Sequence, residues 1–291
     1  MNLSKYIEAF FEQKVTYYCY SIFRSILAFS LLLTLLFNDV DTLFPEFVSD
    51  IEYYGEIETY GIKWGACFLN YIVLYKVLAC LVLITVITGF FPRVTGLLHF
   101  IVAFTFLKLC PVIDGGDQLH ANFTLLLMPI TLFDGNKNHW IYKKDLQTAY
   151  FKANYLVFSF LIKLQICFVY LNASIAKLSV AEWVDGTVMY YWVTHETFGT
   201  SGVLGTFLSN LLQYKIVYFV TWGVIVLELL LALLLFVDKK RLLPRLIFPI
   251  ALLFHFTIIF VHGIFSFALV MMAALTFYFN YKPKYLKYGS K

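Results

Sequence analysis

Apolar residues in this chain are grouped into eight long stretches, which short polar segments separate. About 20 apolar residues in a helix are enough to cross the hydrocarbon core of a bilayer. We therefore predict about eight transmembrane helices, in the approximate ranges 17–37, 66–90, 94–110, 118–133, 153–176, 216–236, 243–261 and 264–281. The third and fourth stretches are short for a span.

The basic residues of the polar segments indicate the side of the membrane on which each segment lies. If the N-terminus is inside and the stretches alternate, fifteen Lys and Arg residues fall in inner segments. Only three, Lys63, Lys177 and Lys215, fall in outer segments. Because cytoplasmic loops carry an excess of Lys and Arg, this bias predicts that both termini are cytoplasmic. Lys177 is then an exception on the outer side.

The composition favours the same class of protein. The chain is 61% hydrophobic, 20% aromatic and only 14% charged, with a mean hydropathy of +0.78. Soluble domains carry about a quarter charged residues. We predict an all-α integral membrane protein whose helices form one bundle and one domain over residues 1–291. The net charge of +4 is spread over short loops, so nucleic-acid binding is not expected.

Several ionisable residues lie inside the apolar stretches. Charges at the centre of a bilayer cost a few kcal/mol each, so they face a bundle interior or a water-filled cavity. Glu228 is the only acid at mid-depth, and we predict that it pairs with Lys76 or Lys163. The sequence leaves open whether that pair only fixes helix packing or lines a functional pocket. The ionisable residues concerned are Arg24, Lys76, Lys108, Lys163, Glu228 and His255.

Other polar residues gather near the predicted outer ends of the stretches. Two glycines in "DGGDQLH" allow a tight turn before the fourth stretch, and Asp117 is suited to capping its helix. We predict that the outer mouth collects Asp117, His120, Lys177, Glu182, Asp185, His195 and His262. The histidines form no metal-binding box, so no metal site is predicted. The positions of Cys67 and Cys110 are compatible with an external disulfide.

Lys177 ends an apolar helix, and two interpretations of it remain open. A lysine in an apolar setting can act as a base, because burial disfavours its charged form. A lysine at a membrane boundary can also extend its ammonium group into water and serve only as an anchor.

Two motifs resemble known membrane families. "SIAKL", "AEWVDG" and "TVMYYW" resemble the catalytic lysine region of vitamin K-dependent γ-carboxylase. "SIFRSILAF" and "GGDQL…LLLMPITLFD" resemble the horizontally transferred transmembrane (HTTM) domain family. Within that family, "DGGDQLHANFTLLLMPITLFDGNKNHW" is most similar to the sporulation-delaying protein B (SdpB) group, which is linked to production of secreted peptide toxins. The resemblance covers about residues 17–280.

The resemblance implies roles for two residues. Lys177 falls on the base that deprotonates a reduced quinone in the carboxylase. His120 lies next to the position of a histidine that assists catalysis there. The carboxylase has a large lumenal domain that binds substrate propeptides, and no such domain is expected here. A separate partner protein would then supply peptide recognition, or the chemistry would differ.

Three functions remain open from the sequence. The first is a multi-pass protein of the bacterial cytoplasmic membrane that matures or exports a secreted peptide toxin at the outer face, with a small partner protein. The second is a quinone-dependent carboxylase or epoxidase, with a reduced quinone as cofactor. The third is a non-catalytic accessory or immunity component.

Overall fold

The computed structural model describes residues 17–44, 71–111, 113–141 and 148–279, and these residues are predominantly helical. Within these ranges there is no β-strand, only an isolated bridge between Phe90 and Asn138. The predicted all-α class is confirmed for the described residues.

The described part of each predicted apolar stretch coincides with one helix. Shorter helices lie between the stretches, after Phe37 and after Lys177. In chain order the described helices are α1 (Tyr17–Phe37), α2 (Val40–Leu43), α3 (Ile72–Thr88), α4 (Pro92–Leu109), α5 (Gly115–Leu132), α6 (Ala149–Lys177), α7 (Ala181–Val184), α8 (Val188–Thr194), α9 (Gly202–Leu212), α10 (Ile216–Leu233), α11 (Leu242–His262) and α12 (Phe265–Tyr278).

Five of the described helices are long and apolar enough to cross a membrane. They are α1, α4, α6, α11, and α10 with the 3-10 turn that follows it. The helices α3 and α12 are apolar but shorter. A multi-pass membrane protein is therefore supported, whereas the count of eight spans stays a prediction. The termini and Cys67 lie outside the described residues, so the predicted orientation and the Cys67–Cys110 disulfide are not addressed.

The chain divides into two compact units, Met1–Phe160 with Lys282–Lys291, and Leu161–Tyr281. In the first unit, α1 packs against α3, and α4 packs along α5. The α4–α5 contact is close at Gly96, where an added Cβ would lie 2.0 Å from Thr131 Oγ1. Leu31, Leu83 and Phe106 belong to an apolar core in this unit. Small residues at such crossings let the backbones of membrane helices approach closely.

The second unit contains the rest of α6 and the helices after it. Here α11 packs against α12, and α8 packs against α9 and α10. Val193, Leu212 and Val217 form a small apolar cluster among α8, α9 and α10. The helix α11 ends at Gly263, whose φ of 69° is left-handed and suits glycine.

Candidate functional site

Lys177 and Glu228 form an ion pair in the second unit. Lys177 is the last residue of α6, and its Nζ donates to Glu228 Oε1 at 2.9 Å and Oε2 at 2.8 Å. It also donates to the Ala173 carbonyl at 3.3 Å. The side chains are only 19% and 8% exposed, respectively. A two-oxygen contact with this burial is a defined geometry rather than a loose surface contact.

The expected partners of Glu228 were Lys76 or Lys163, and that expectation is wrong, because Lys177 holds both of its oxygens. Lys76 instead donates to the Asn38 carbonyl at 2.7 Å. Lys163 acts electrostatically on Lys239.

The position of Glu228 explains why the sequence suggested the wrong partner. Glu228 lies twelve residues after Ile216, where α10 begins. At about 1.5 Å per residue, that distance is about 18 Å along the helix. Lys177 therefore faces the middle of α10 and not its first turn. The ammonium group is directed at a buried carboxylate.

An aromatic ring and a second polar pair accompany the ion pair. Lys177 Nζ lies 5.0 Å from the centroid of the Trp183 ring, within cation–π range. Tyr170 precedes Lys177 by two helical turns, so both side chains share one face of α6. The Tyr170 hydroxyl and His255 Nε2 are hydrogen-bonded at 2.9 Å, and Glu228 acts electrostatically on Tyr170.

Two buried polar atoms of this unit have no hydrogen-bond partner among the described residues. They are Thr221 Oγ1, two turns before Glu228 on α10, and His255 Nδ1. Buried polar groups are nearly always paired, so such atoms are candidates for contact with a ligand or water. Among the described residues no cluster of three or more His, Cys, Asp and Glu side chains could hold a metal ion.

His120 lies in the first unit, and it is buried rather than placed at an open mouth. Its Nε2 is 2.8 Å from Nε2 of His99, on the neighbouring helix α4. One ring must donate and the other accept, because two lone pairs or two protons would repel. The sequence pattern did not single out His99. Its pairing with His120 depends on how α4 packs against α5, which the spacing of residues does not reveal.

Asp117 is also buried, in the first turn of α5. The helix cap itself is Asp114, whose Oδ1 accepts from Asp117 N at 2.9 Å. Asp117 Oδ2 returns a bond by accepting from Asp114 N at 3.2 Å. The predicted cap is therefore one half of a reciprocal capping box.

Arg24 is buried in a polar network that it shares with residues of the segment 133–140, "FDGNKNHW". Its guanidinium donates to Thr95 Oγ1 at 2.6 Å and to His139 Nδ1 at 2.9 Å. His139 Nε2 then donates to Ser25 Oγ at 3.2 Å. Burial, together with the nearby Arg24 charge, lowers the pKa of His139 to about 2. In the same segment, Asp134 accepts a 2.5 Å hydrogen bond from the hydroxyl of Tyr17.

The remaining predicted outer residues belong to the second unit. Glu182 and Asp185 are exposed, and Asp185 Oδ1 accepts from Thr187 N and Oγ1 at 2.9 and 2.6 Å. Asp185 therefore shapes a turn. His195 and His262 both contact Trp192. Asp117 and His120 belong to the first unit, and the predicted outer mouth stays a prediction.

Comparison with known proteins adds the following. The model of the HTTM domain family matches residues 21–282. The chain is 33% identical to "Sporulation-delaying protein SdpB" of Bacillus subtilis (strain 168), over 96% of this chain and 85% of that protein. It is 32% identical to "Uncharacterized protein YitO" of the same organism, over 95% of this chain and 90% of that protein. No solved structure gives a significant match.

Proposed function

The chain belongs to the HTTM domain family, and from this membership we propose that it matures or exports a secreted peptide toxin. It would act at the outer face of the bacterial cytoplasmic membrane, together with a small partner protein. The similarity to the sporulation-delaying relative, which extends over nearly the whole chain, supports the proposal that the substrate is a peptide toxin. The observation that carries a chemical role is the enclosed Lys177–Glu228 pair.

The ion pair can change its protonation without gaining net charge. Moving one proton from Lys177 Nζ to the Glu228 carboxylate gives a neutral amine and a neutral carboxylic acid. The neutral amine is the form that can accept a proton from a substrate or attack a carbonyl. Glu228 thus supplies what Lys177 needs to act as a base.

The proposed partner is supported by the predicted outer segment that follows Lys177. Between Lys177 and α10, the described chain forms only the short helices α7, α8 and α9. A folded precursor would require a larger recognition surface, about 800 Å² on each side in a standard interface. A partner protein would supply it.

The test is to delete the gene in its own organism and to measure by mass spectrometry the peptides secreted into the medium. The deletion should abolish one mature peptide, and the wild-type gene should restore it. Lys177→Met should not restore it. Lys215→Met should restore it, because this exposed lysine on the same predicted side has no part in the site. An unchanged set of secreted peptides in the deletion strain would refute the proposal.

Quinone-dependent chemistry is a second candidate, favoured by the unpaired Thr221 Oγ1 and His255 Nδ1. These atoms could hydrogen-bond the hydroxyl groups of a reduced quinone. When bound, the quinone would be the reductant. The Lys177–Glu228 pair would receive the proton that a quinone hydroxyl group releases. Purified protein would be mixed with a reduced naphthoquinone and oxygen, and quinone oxidation followed by absorbance. Oxidation at the same rate with Lys177→Met protein would contradict this candidate.

A further inference from the structure

Four aromatic rings lie together, three on the segment between Lys177 and α10 and one at the end of α11. His195 stacks on Trp192 with ring centroids 6.1 Å apart, and His262 meets the same indole edge-on at 5.9 Å. Phe198 lies 5.3 Å from His195 and 6.3 Å from Trp192. Trp192 is 40% and Phe198 45% exposed, and His195 is exposed as well. The outer ring cluster consists of Trp192, His195, Phe198 and His262.

The backbone fixes the tautomer of His195. Its Nδ1 lies 3.1 Å from Thr197 N and 3.2 Å from Phe198 N, and both amides donate to it. A nitrogen that accepts two N–H groups carries no proton. The neutral ring therefore has its proton on Nε2 and presents a donor there.

The same loop fixes the opposite tautomer in His262. Its Nδ1 lies 2.8 Å from the Phe198 carbonyl oxygen. A carbonyl can only accept, so this Nδ1 must carry the proton. The neutral ring then has a lone pair on Nε2 and presents an acceptor there. The backbone of Phe198 thus helps to fix both tautomers: its amide donates to His195, and its carbonyl accepts from His262.

We infer that the outer ring cluster binds an extended peptide through one of its backbone amide groups. The Nε2–H of His195 matches a peptide carbonyl, and the Nε2 lone pair of His262 matches a peptide N–H. The exposed faces of Trp192 and Phe198 supply apolar contact for neighbouring side chains. That the peptide is the toxin precursor rests on the proposed function, whereas the amide chemistry rests on the two tautomers alone.

Other ligands of a membrane surface match this pattern less well. A phosphate group offers mainly acceptors and would oppose the lone pair of His262. A quinone offers two acceptors, and a reduced quinone offers two hydroxyl groups, so neither distinguishes the two rings. A peptide group offers one donor and one acceptor, which match the acceptor on His262 and the donor on His195.

The experiment uses the full-length protein in detergent micelles with ¹⁵N-labelled histidine. The ¹⁵N shifts of His195 and His262, assigned with His195→Phe and His262→Phe, should show opposite tautomers. The probe peptide is acetyl-Phe-Gly-Phe-amide, titrated beside the same peptide methylated at every amide nitrogen. The parent peptide should shift both signals. The signals of the buried His99, His120 and His139 should stay fixed and report an intact fold.

The variants separate the two hydrogen bonds. His262→Phe should weaken binding of the parent peptide by roughly three- to tenfold and leave the methylated peptide unaffected. His195→Phe should weaken both peptides, since each retains its carbonyls. Tyr214→Phe, at an exposed ring outside the cluster, should change neither. Identical tautomers, equal affinity for the two peptides, or shifts caused by inorganic phosphate alone would overturn the inference. Peptide secretion in cells is a separate measurement. Peptide binding by the cluster and the proposed role in toxin maturation or export can therefore fail independently.

Discussion

Removing both partners of the Lys177–Glu228 pair should destabilise the protein much less than the sum of the two single removals. The perturbations are Glu228→Gln, Lys177→Met and the double variant. Each single change leaves one group partly buried without its partner, which costs about 3–5 kcal/mol in enclosed pairs. Because the Lys177 side chain is 19% exposed, we take the lower end of that range, about 3 kcal/mol for each.

The double variant leaves no uncompensated charge and should lose about 3.5 kcal/mol. The coupling free energy is then about 2.5 kcal/mol, within the range seen for residues in contact. The assay is unfolding in mixed micelles, with the free energy taken from the denaturant midpoint and slope. Glu228→Gln combined with Lys76→Met is the matched control and should be additive, because Lys76 has a different partner. Additivity within about 0.5 kcal/mol in the Lys177 cycle would refute the pair.

Three further predictions concern the first unit. Gly96→Ala should destabilise by about 1–3 kcal/mol in the same unfolding assay, since its Cβ would collide with Thr131, whereas Gly223→Ala, which meets nothing within 4 Å, should be neutral or stabilising. Arg24→Lys should also destabilise, by about 2 kcal/mol or more, because one ammonium group cannot replace two diverging guanidinium bonds; wild-type stability in this variant would contradict the network. The pKa of His139 is lowered from about 6.5 to about 2 on folding, so the unfolded chain binds more protons between these values. Stability should therefore fall as pH drops below about 6.5, by up to about 1.4 kcal/mol per unit, and His139→Gln should flatten that slope; an unchanged slope would rule out His139 as its source.

The helices were predictable because crossing a bilayer imposes a strong local signal. A run of about 20 apolar residues must satisfy its backbone internally, so the helix is readable from composition alone. The ranges of α1 and α11 accordingly match the apolar stretches within a residue or so. The short helices α7, α8 and α9 were not predicted, because their signals are only a few residues long.

The side-chain partners were less predictable than the helices. Lys177 and Glu228 were both identified as unusual, but their pairing depends on the depth at which α6 ends beside α10. His99 and Thr95 were not predicted as site residues, because the sequence around a single polar residue on an apolar helix does not show which residues it contacts. Their contacts with His120 and Arg24 come from helix packing, which the sequence of one chain does not encode locally.

Lys177→Arg, expressed in the deletion strain, tests the central claim most directly. Arginine keeps the positive charge and can still bind the Glu228 carboxylate, but it remains protonated and cannot act as a base. Loss of a general base typically costs a hundredfold or more in rate. We therefore predict that mature peptide in the medium falls by about that factor while the protein level in the membrane is unchanged. Wild-type amounts of mature peptide from the arginine variant would contradict the account and leave Lys177 as a structural partner of Glu228.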